Sequence, residues 1–138
     1  MQDIFRYVDR HRDRFMTELC ALVRQPSISA QNVGVAECAA LLASQLEAIG
    51  VTARILPTAG HPVVFGEVRA PGAARTLLIY GHYDVQPPEP LELWKTPPFE
   101  PTLKDGRLWG RGTGDNKGQL FAHVKAVESV LRAAGTLP

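Results

Sequence analysis

Thr76-Leu77-Leu78-Ile79-Tyr80-Gly81-His82-Tyr83-Asp84-Val85-Gln86-Pro87 is the stretch on which the fold turns. Leu77 to Tyr80 is a continuous apolar run, the pattern of a strand covered on both faces. The run ends in a polar pair, His82 and Asp84. Side chains alternate along a strand, so residues two apart share a face. With extended backbone continued through Gly81, His82 and Asp84 point the same way, just past the strand's carboxyl end. In open α/β sheets that is where ligands bind. The expectation is a strand over 76–80 at the centre of a covered sheet.

Upstream of this run lie two shorter strand patterns, Val51 to Leu56 and Pro62 to Val68. Turns at Pro57-Thr58-Ala59-Gly60 and Ala70-Pro71-Gly72 separate them from each other and from Thr76. Two helices precede the strands. Ile4, Val8, Phe15, Leu19 and Leu22 recur at helical spacing over residues 3–24, with Arg12 interrupting the stripe. Asp3 is placed to cap that helix, its Arg/Asp face is read as solvated, and Gln25-Pro26 ends it. Val35, Ala39, Leu42, Leu46 and Ile49 mark the second helix, with Gly50 at its C-terminal stop. Helices followed by strands at this rhythm predict an α/β architecture, a mixed sheet flanked by helices.

Downstream, residues 87–101 hold Pro87, Pro88, Pro90, Pro97, Pro98 and Pro101, which preclude regular structure and stiffen a loop. Trp94 and Phe99 lie in that loop, as an apolar plug beneath it or as substrate contacts. Asp105-Gly106, between Thr102-Leu103-Lys104 and Arg107-Leu108-Trp109, is a two-residue hairpin signal. The hairpin leads into Gly110-Arg111-Gly112-Thr113-Gly114-Asp115-Asn116-Lys117-Gly118. Leu120, Val124, Val127, Leu131 and Ala134 then trace a third helix, closed by Gly135.

With 138 residues the chain is long enough for one domain and a real core. Its net charge of +1, with Lys and Arg scattered, argues against a nucleic-acid partner. No apolar run approaches the ~20 residues of a membrane span. The charged start Met1-Gln2-Asp3-Ile4-Phe5-Arg6 lacks the apolar segment of a signal peptide. Cys20 and Cys38 have no CxxC spacing, and two free thiols fit a reducing, cytoplasmic setting.

The candidate chemistry centres on His82-x-Asp84 and Asp115. A metal-bound imidazole usually donates its second N–H to a carboxylate, which fixes the tautomer, and Asp84 stands where that carboxylate belongs. The bland alternative is a buried histidine bonded to its neighbour. The glycines before Asp115 admit a phosphate-cradle reading ahead of a helix N-terminus. Their spacing is not GxGxxG and no GK[ST] follows, which disfavours a nucleotide site. The other reading is a tight turn that carries the Asp115 carboxylate into the site. A carboxylate can bridge the two ions of a two-metal hydrolase. His11 is read as solvated, His61 as a turn residue and His123 as packed or capping. Ser27 and Ser29 have no neighbouring base in sequence, so a serine nucleophile is unsupported.

Gly81-His82-Tyr83-Asp84-Val85-Gln86-Pro87, Trp94, Pro97-Pro98-Phe99, Gly106-Arg107-Leu108-Trp109-Gly110-Arg111-Gly112 and Asp115-Asn116-Lys117-Gly118 together resemble the M20 metallopeptidase family. The helix ending in Gln25-Pro26-Ser27-Ile28-Ser29 extends the resemblance over nearly the whole chain. His82-Tyr83-Asp84-Val85-Gln86-Pro87 with Leu91-Glu92-Leu93-Trp94 looks most like its dipeptidase branch.

The resemblance implies a zinc-exopeptidase-like fold and a two-zinc hydrolase of peptide or amide bonds, with manganese and cobalt suited to the same donors. It implies that His82 ligates one metal, Asp115 bridges two, and Asp84 orients His82. It also implies a cis peptide between Asp115 and Asn116. The expected substrate is a dipeptide. The alternative is an N-acyl amino acid, as in deacylases of the acetylornithine deacetylase and succinyl-diaminopimelate desuccinylase type. Family members further carry a Glu-Glu pair holding the general base, another carboxylate ligand, a late histidine and a lid and dimerisation domain. No Glu-Glu pair occurs here. The expectation is therefore that residues 1–138 are the N-terminal part of a catalytic domain, inactive alone, and that a homodimer belongs to the full-length protein only.

Overall fold

The computed structural model describes residues 1–137. Three helices dominate it: α1 (Gln2–Arg24), α2 (Val35–Ala48) and α3 (Lys117–Ala134). Strands β1 (Thr52–Leu56) and β2 (Val63–Glu67) form one antiparallel pair, β3 (Thr102–Lys104) and β4 (Arg107–Trp109) another. The architecture is α/β, with small sheets against helices.

α1 ends where the sequence places the stop: Gln25 is extended (φ −71°, ψ 113°) ahead of Pro26. α3 closes on Gly135 in the left-handed region (φ 78°), its N–H bonded to the Leu131 carbonyl. Leu22, Cys38, Leu42 and Phe121 form the main buried cluster, joined by Phe15 and Leu19 from the α1 stripe. Ile49, Val51 and Val124 form a second cluster, packed by Leu46, Val68 and Val127. β1 and β2 run in the register Thr52↔Glu67 to Leu56↔Val63. In the β3–β4 hairpin Asp105 (φ 53°) and Gly106 (φ 71°) both take positive φ, which is the type I′ geometry that an Asp-Gly pair favours.

Some local expectations are corrected. Residues 76–80 do not form a strand: no neighbour pairs with them among the described residues. Their side chains are exposed, Leu77 by 83%, Leu78 by 84% and Tyr80 by 83%. A strand is held by its neighbours' hydrogen bonds, and apolar pattern alone cannot supply them. Asp3 lies inside the first turn of α1, paired with Arg6, and Met1 takes the cap position. His11 is half-buried, not solvated; it stacks on Tyr7 at 4.0 Å between ring centroids. His123 is exposed.

Candidate metal centre

The segment that follows the exposed run is held from two sides. Val85 N–H donates to the Ser27 carbonyl at 2.9 Å, and Ile28 and Val85 form a parallel bridge. Ser27 Oγ–H donates to the Tyr83 carbonyl at 2.6 Å, and the Tyr83 hydroxyl reaches the Pro62 carbonyl. From the other side, His82 N–H donates to Asn116 Oδ1 at 3.3 Å. Gly81 permits that approach, since a Cβ there would sit 3.1 Å from both Asn116 Oδ1 and Leu120 Cδ1.

His82 Nδ1 lies 3.1 Å from the Asp84 main-chain carbonyl and 3.2 Å from Asp84 Oδ1. His82 Nε2 lies 3.1 Å from Asp115 Oδ1. Three residues singled out in the sequence therefore converge, with Asp84 and Asp115 on opposite nitrogens of one ring. Ser29 Oγ–H donates to the second Asp84 oxygen, Oδ2, at 2.6 Å.

Asp115 sits at the end of the glycine turn, next to a cis Asp115–Asn116 peptide, as the family resemblance implied. Gly112 takes φ 87°, and a Cβ there would come within 2.7 Å of Val85 Cγ1. A Cβ on Gly118 would meet the Thr113 carbonyl oxygen at 2.1 Å. The turn thus folds onto both the His82 segment and the start of α3, which only glycine allows at these two positions. Lys117, two residues past Asp115, is fully buried and donates to the Leu22 and Gln25 carbonyls at 3.0 and 2.6 Å. Arg111 ties in the proline loop through Pro87 O at 3.1 Å, with its guanidinium 4.9 Å from the centre of the Trp94 ring. Trp94 Nε1–H donates to the Pro88 carbonyl at 2.6 Å, so the indole is packed within its own loop.

The donor set fits a divalent cation. Two acceptors face Nδ1, which favours the tautomer with hydrogen on Nδ1 and leaves a lone pair on Nε2. That lone pair and the Asp115 carboxylate, 3.1 Å apart, then both present electrons to the same point. A proton or a metal must reconcile them. Burial opposes a charged imidazole, but Asp84's carbonyl and the Asp84 and Asp115 carboxylates outweigh it and raise the His82 pKa. The ligand count is incomplete, because no cluster of three or more His, Cys, Asp or Glu suited to a metal exists among the described residues. A cleft of about 460 Å³ lies elsewhere, between α1, α2 and α3, lined by Tyr7, His11, Arg14, Gln45 and Glu128 among others. It contains none of His82, Asp84 and Asp115, so it is not the candidate site.

Spacing singled out His82, Asp84 and Asp115. Ser27, Ser29 and Lys117 were missed as site supports, because their partners lie 55 to 95 residues away in sequence and no local pattern marks them.

The model of peptidase family M20/M25/M40 matches residues 78–138. The M20 family metallo-carboxypeptidase Sso-CP2 from Sulfolobus solfataricus is 42% identical with a TM-score of 0.83, over 86% of this chain and 27% of that one. Human carnosine dipeptidase 1 is 32% identical with a TM-score of 0.86, over 99% of this chain and 32% of that one. The dipeptidase Dug1p from Saccharomyces cerevisiae is 25% identical with a TM-score of 0.83, over the same shares. The chain thus spans about a third or less of the length of these structures. The motif segment and the structural likeness agree: residues 78–138 belong to the M20 peptidase family, and the chain shares the fold of M20 structures.

Proposed function

We propose that residues 1–138 contribute one wall of the two-metal active site of a hydrolase of small peptides, as the N-terminal part of its catalytic domain. The observation that carries this reading is the placement of His82 Nε2 3.1 Å from Asp115 Oδ1, with Asp84 on the opposite nitrogen. His82 and Asp115 would hold the metals, Asp115 as the bridge, with zinc the first choice and manganese or cobalt suited to the same donors. When bound, such a pair supplies a water of lowered pKa and polarises the scissile carbonyl. Asp84 accepts the His82 Nδ1–H and keeps Nε2 free to bind. The glycine turn carries Asp115 to the mouth of the site, where its side chain is 81% exposed and open to further ligands. The general base and remaining ligands are assigned to chain beyond these residues. The dipeptide preference rests on the two dipeptidases among the similar structures. A reducing, cytoplasmic compartment suits the free thiols of Cys20 and Cys38.

The test is hydrolysis of unblocked dipeptides by the protein of the complete reading frame. Activity should vanish with chelator, return with Zn2+, and fall by ~100-fold or more in His82→Ala and Asp115→Ala. Full activity in either variant, or in the presence of chelator, overturns the reading. The 138-residue chain alone is expected to show no turnover.

A further inference from the structure

Asp84 is half exposed, so its grip on His82 needs something that stops the carboxylate from rotating into water. The structure supplies one hydroxyl for this. Ser29 Oγ donates to Asp84 Oδ2 at 2.6 Å while Asp84 Oδ1 faces His82 Nδ1 at 3.2 Å, so each carboxylate oxygen has its own partner. Ser29 is itself fixed. Its carbonyl lies 2.9 Å from His61 Nε2, and the buried Ile28 before it pairs with both Val33 and Val85. Ser27, on the same segment, bonds only to the Tyr83 main chain with its hydroxyl and leaves the carboxylate untouched.

We propose that Ser29 is a positioning residue of the metal centre: its hydroxyl fixes the Asp84 carboxylate, and through it the His82 tautomer that presents a bare Nε2 beside Asp115. This rests on the metal-site reading above. A neutral imidazole has one hydrogen to place. Nδ1 offers it two acceptors, the Asp84 carbonyl and carboxylate, while Nε2 offers only Asp115. With Ser29 removed, Asp84 turns toward solvent and Nδ1 keeps the carbonyl alone. The balance then shifts toward hydrogen on Nε2, the nitrogen a metal must use. The effect is graded, because the carbonyl acceptor persists.

The experiment uses the 138-residue chain, labelled with 15N at histidine and free of metal, at a pH above the ordinary imidazole pKa of ~6.5 where the 15N shifts show His82 neutral. Long-range 1H–15N spectra should show His82 with hydrogen on Nδ1 in the wild type. Ser29→Ala should populate the Nε2–H form, and Ser29→Thr, which restores the hydroxyl, should return the wild-type pattern. Zn2+ titration of the protein of the complete reading frame should show a ~10-fold loss of affinity in Ser29→Ala and recovery in Ser29→Thr. Thr17→Ala, which removes a hydroxyl bonded to the Asp13 carbonyl within α1, should leave the His82 pattern unaltered. An unchanged tautomer in Ser29→Ala, or no recovery in Ser29→Thr, overturns the role of Ser29. Absence of Zn2+ binding by the protein of the complete reading frame defeats the metal-site reading instead, and the tautomer spectra still decide the question for Ser29.

Discussion

Lys117 shows how much a single side chain can hold in this molecule. It is wholly buried, yet its ammonium has no carboxylate partner among the described residues; it caps the end of α1 through the Leu22 and Gln25 carbonyls. Carbonyls at a helix C-terminus carry partial negative charge and lack intrahelical donors, so a cation there is favourable. Burial lowers the Lys117 pKa, and Cys38 and Asp84 push it back up. The stem passes under Gly112 on its way to α1, so Lys117 pins the Asp115 turn to the helix. Lys117→Met keeps the stem and removes the donors. We expect it to cost about 2 kcal/mol, the penalty for stranding buried carbonyls, read as a lower urea midpoint. A midpoint unchanged within error would mean that water replaces the ammonium. Nothing in the sequence announces this role. A lysine between Asn116 and Gly118 is ordinary, and the carbonyls it meets come from 92 and 95 residues earlier. His82 and Asp84, by contrast, were legible because strand periodicity put them on one face within three residues.

At the level of elements, α1 is bound to α3 by charge as well as by apolar contact. Glu128, almost fully buried, accepts from Arg14 at 2.5 Å, from Lys125 at 2.8 Å and from the Tyr7 hydroxyl at 3.0 Å. Lys125 also pairs with Glu18, and its ammonium lies 5.3 Å from the Phe15 ring centre and 4.9 Å from that of Phe121. Helical spacing identified the apolar stripe of α1 correctly through Phe15, Leu19 and Leu22. It also assigned the charged face to solvent, and there Arg14 and Glu18 turn inward. Periodicity separates apolar from polar positions, but it cannot say that a polar position faces a complementary charge on another helix. The network makes stability depend on pH. Burial opposes the Glu128 carboxylate, but hydrogen bonds from Arg14, Lys125 and Tyr7 outweigh it and hold the pKa below the ordinary carboxylate value. A carboxyl depressed in the folded state stabilises fully above its unfolded pKa of ~4.3, and the contribution is lost as pH falls toward the folded value. Urea midpoints of the wild type should therefore drop between pH ~5 and ~3. Glu128→Gln should be about 3 kcal/mol less stable at pH 7, because Lys125 is left buried with less to balance it, and should lose less on acidification. A variant with the wild-type acid slope would assign the pH dependence to other groups.

Over the molecule as a whole, the stretch that promised the central strand is the part least provided for. The helix limits, the Asp105-Gly106 hairpin and the antiparallel β1–β2 pair follow from local signals: caps, turn residues and alternation. A central strand depends on partners remote in sequence, and none of the described strands lies beside residues 76–80. Leu77, Leu78, Ile79 and Tyr80 are left exposed in succession, just ahead of the His82 site. Consecutive exposed apolar side chains on an unpaired backbone form a template for adding a strand from another molecule. We therefore expect the 138-residue chain on its own to self-associate through this segment. Sedimentation velocity should show mass rising with concentration over the ~10–500 μM range, and a fluorescent apolar dye should bind. Leu77→Lys combined with Leu78→Lys places two charges on the template and should shift the chain toward monomer. The same pair of changes should leave the His82 tautomer pattern intact, because the site is held through Ser27, Ile28, Ser29 and Asn116 rather than through residues 77–78. A wild-type chain that stays monomeric and binds no dye would show that residues 76–80 are covered in solution. Association that persists unchanged in the double variant would move the contact to another face.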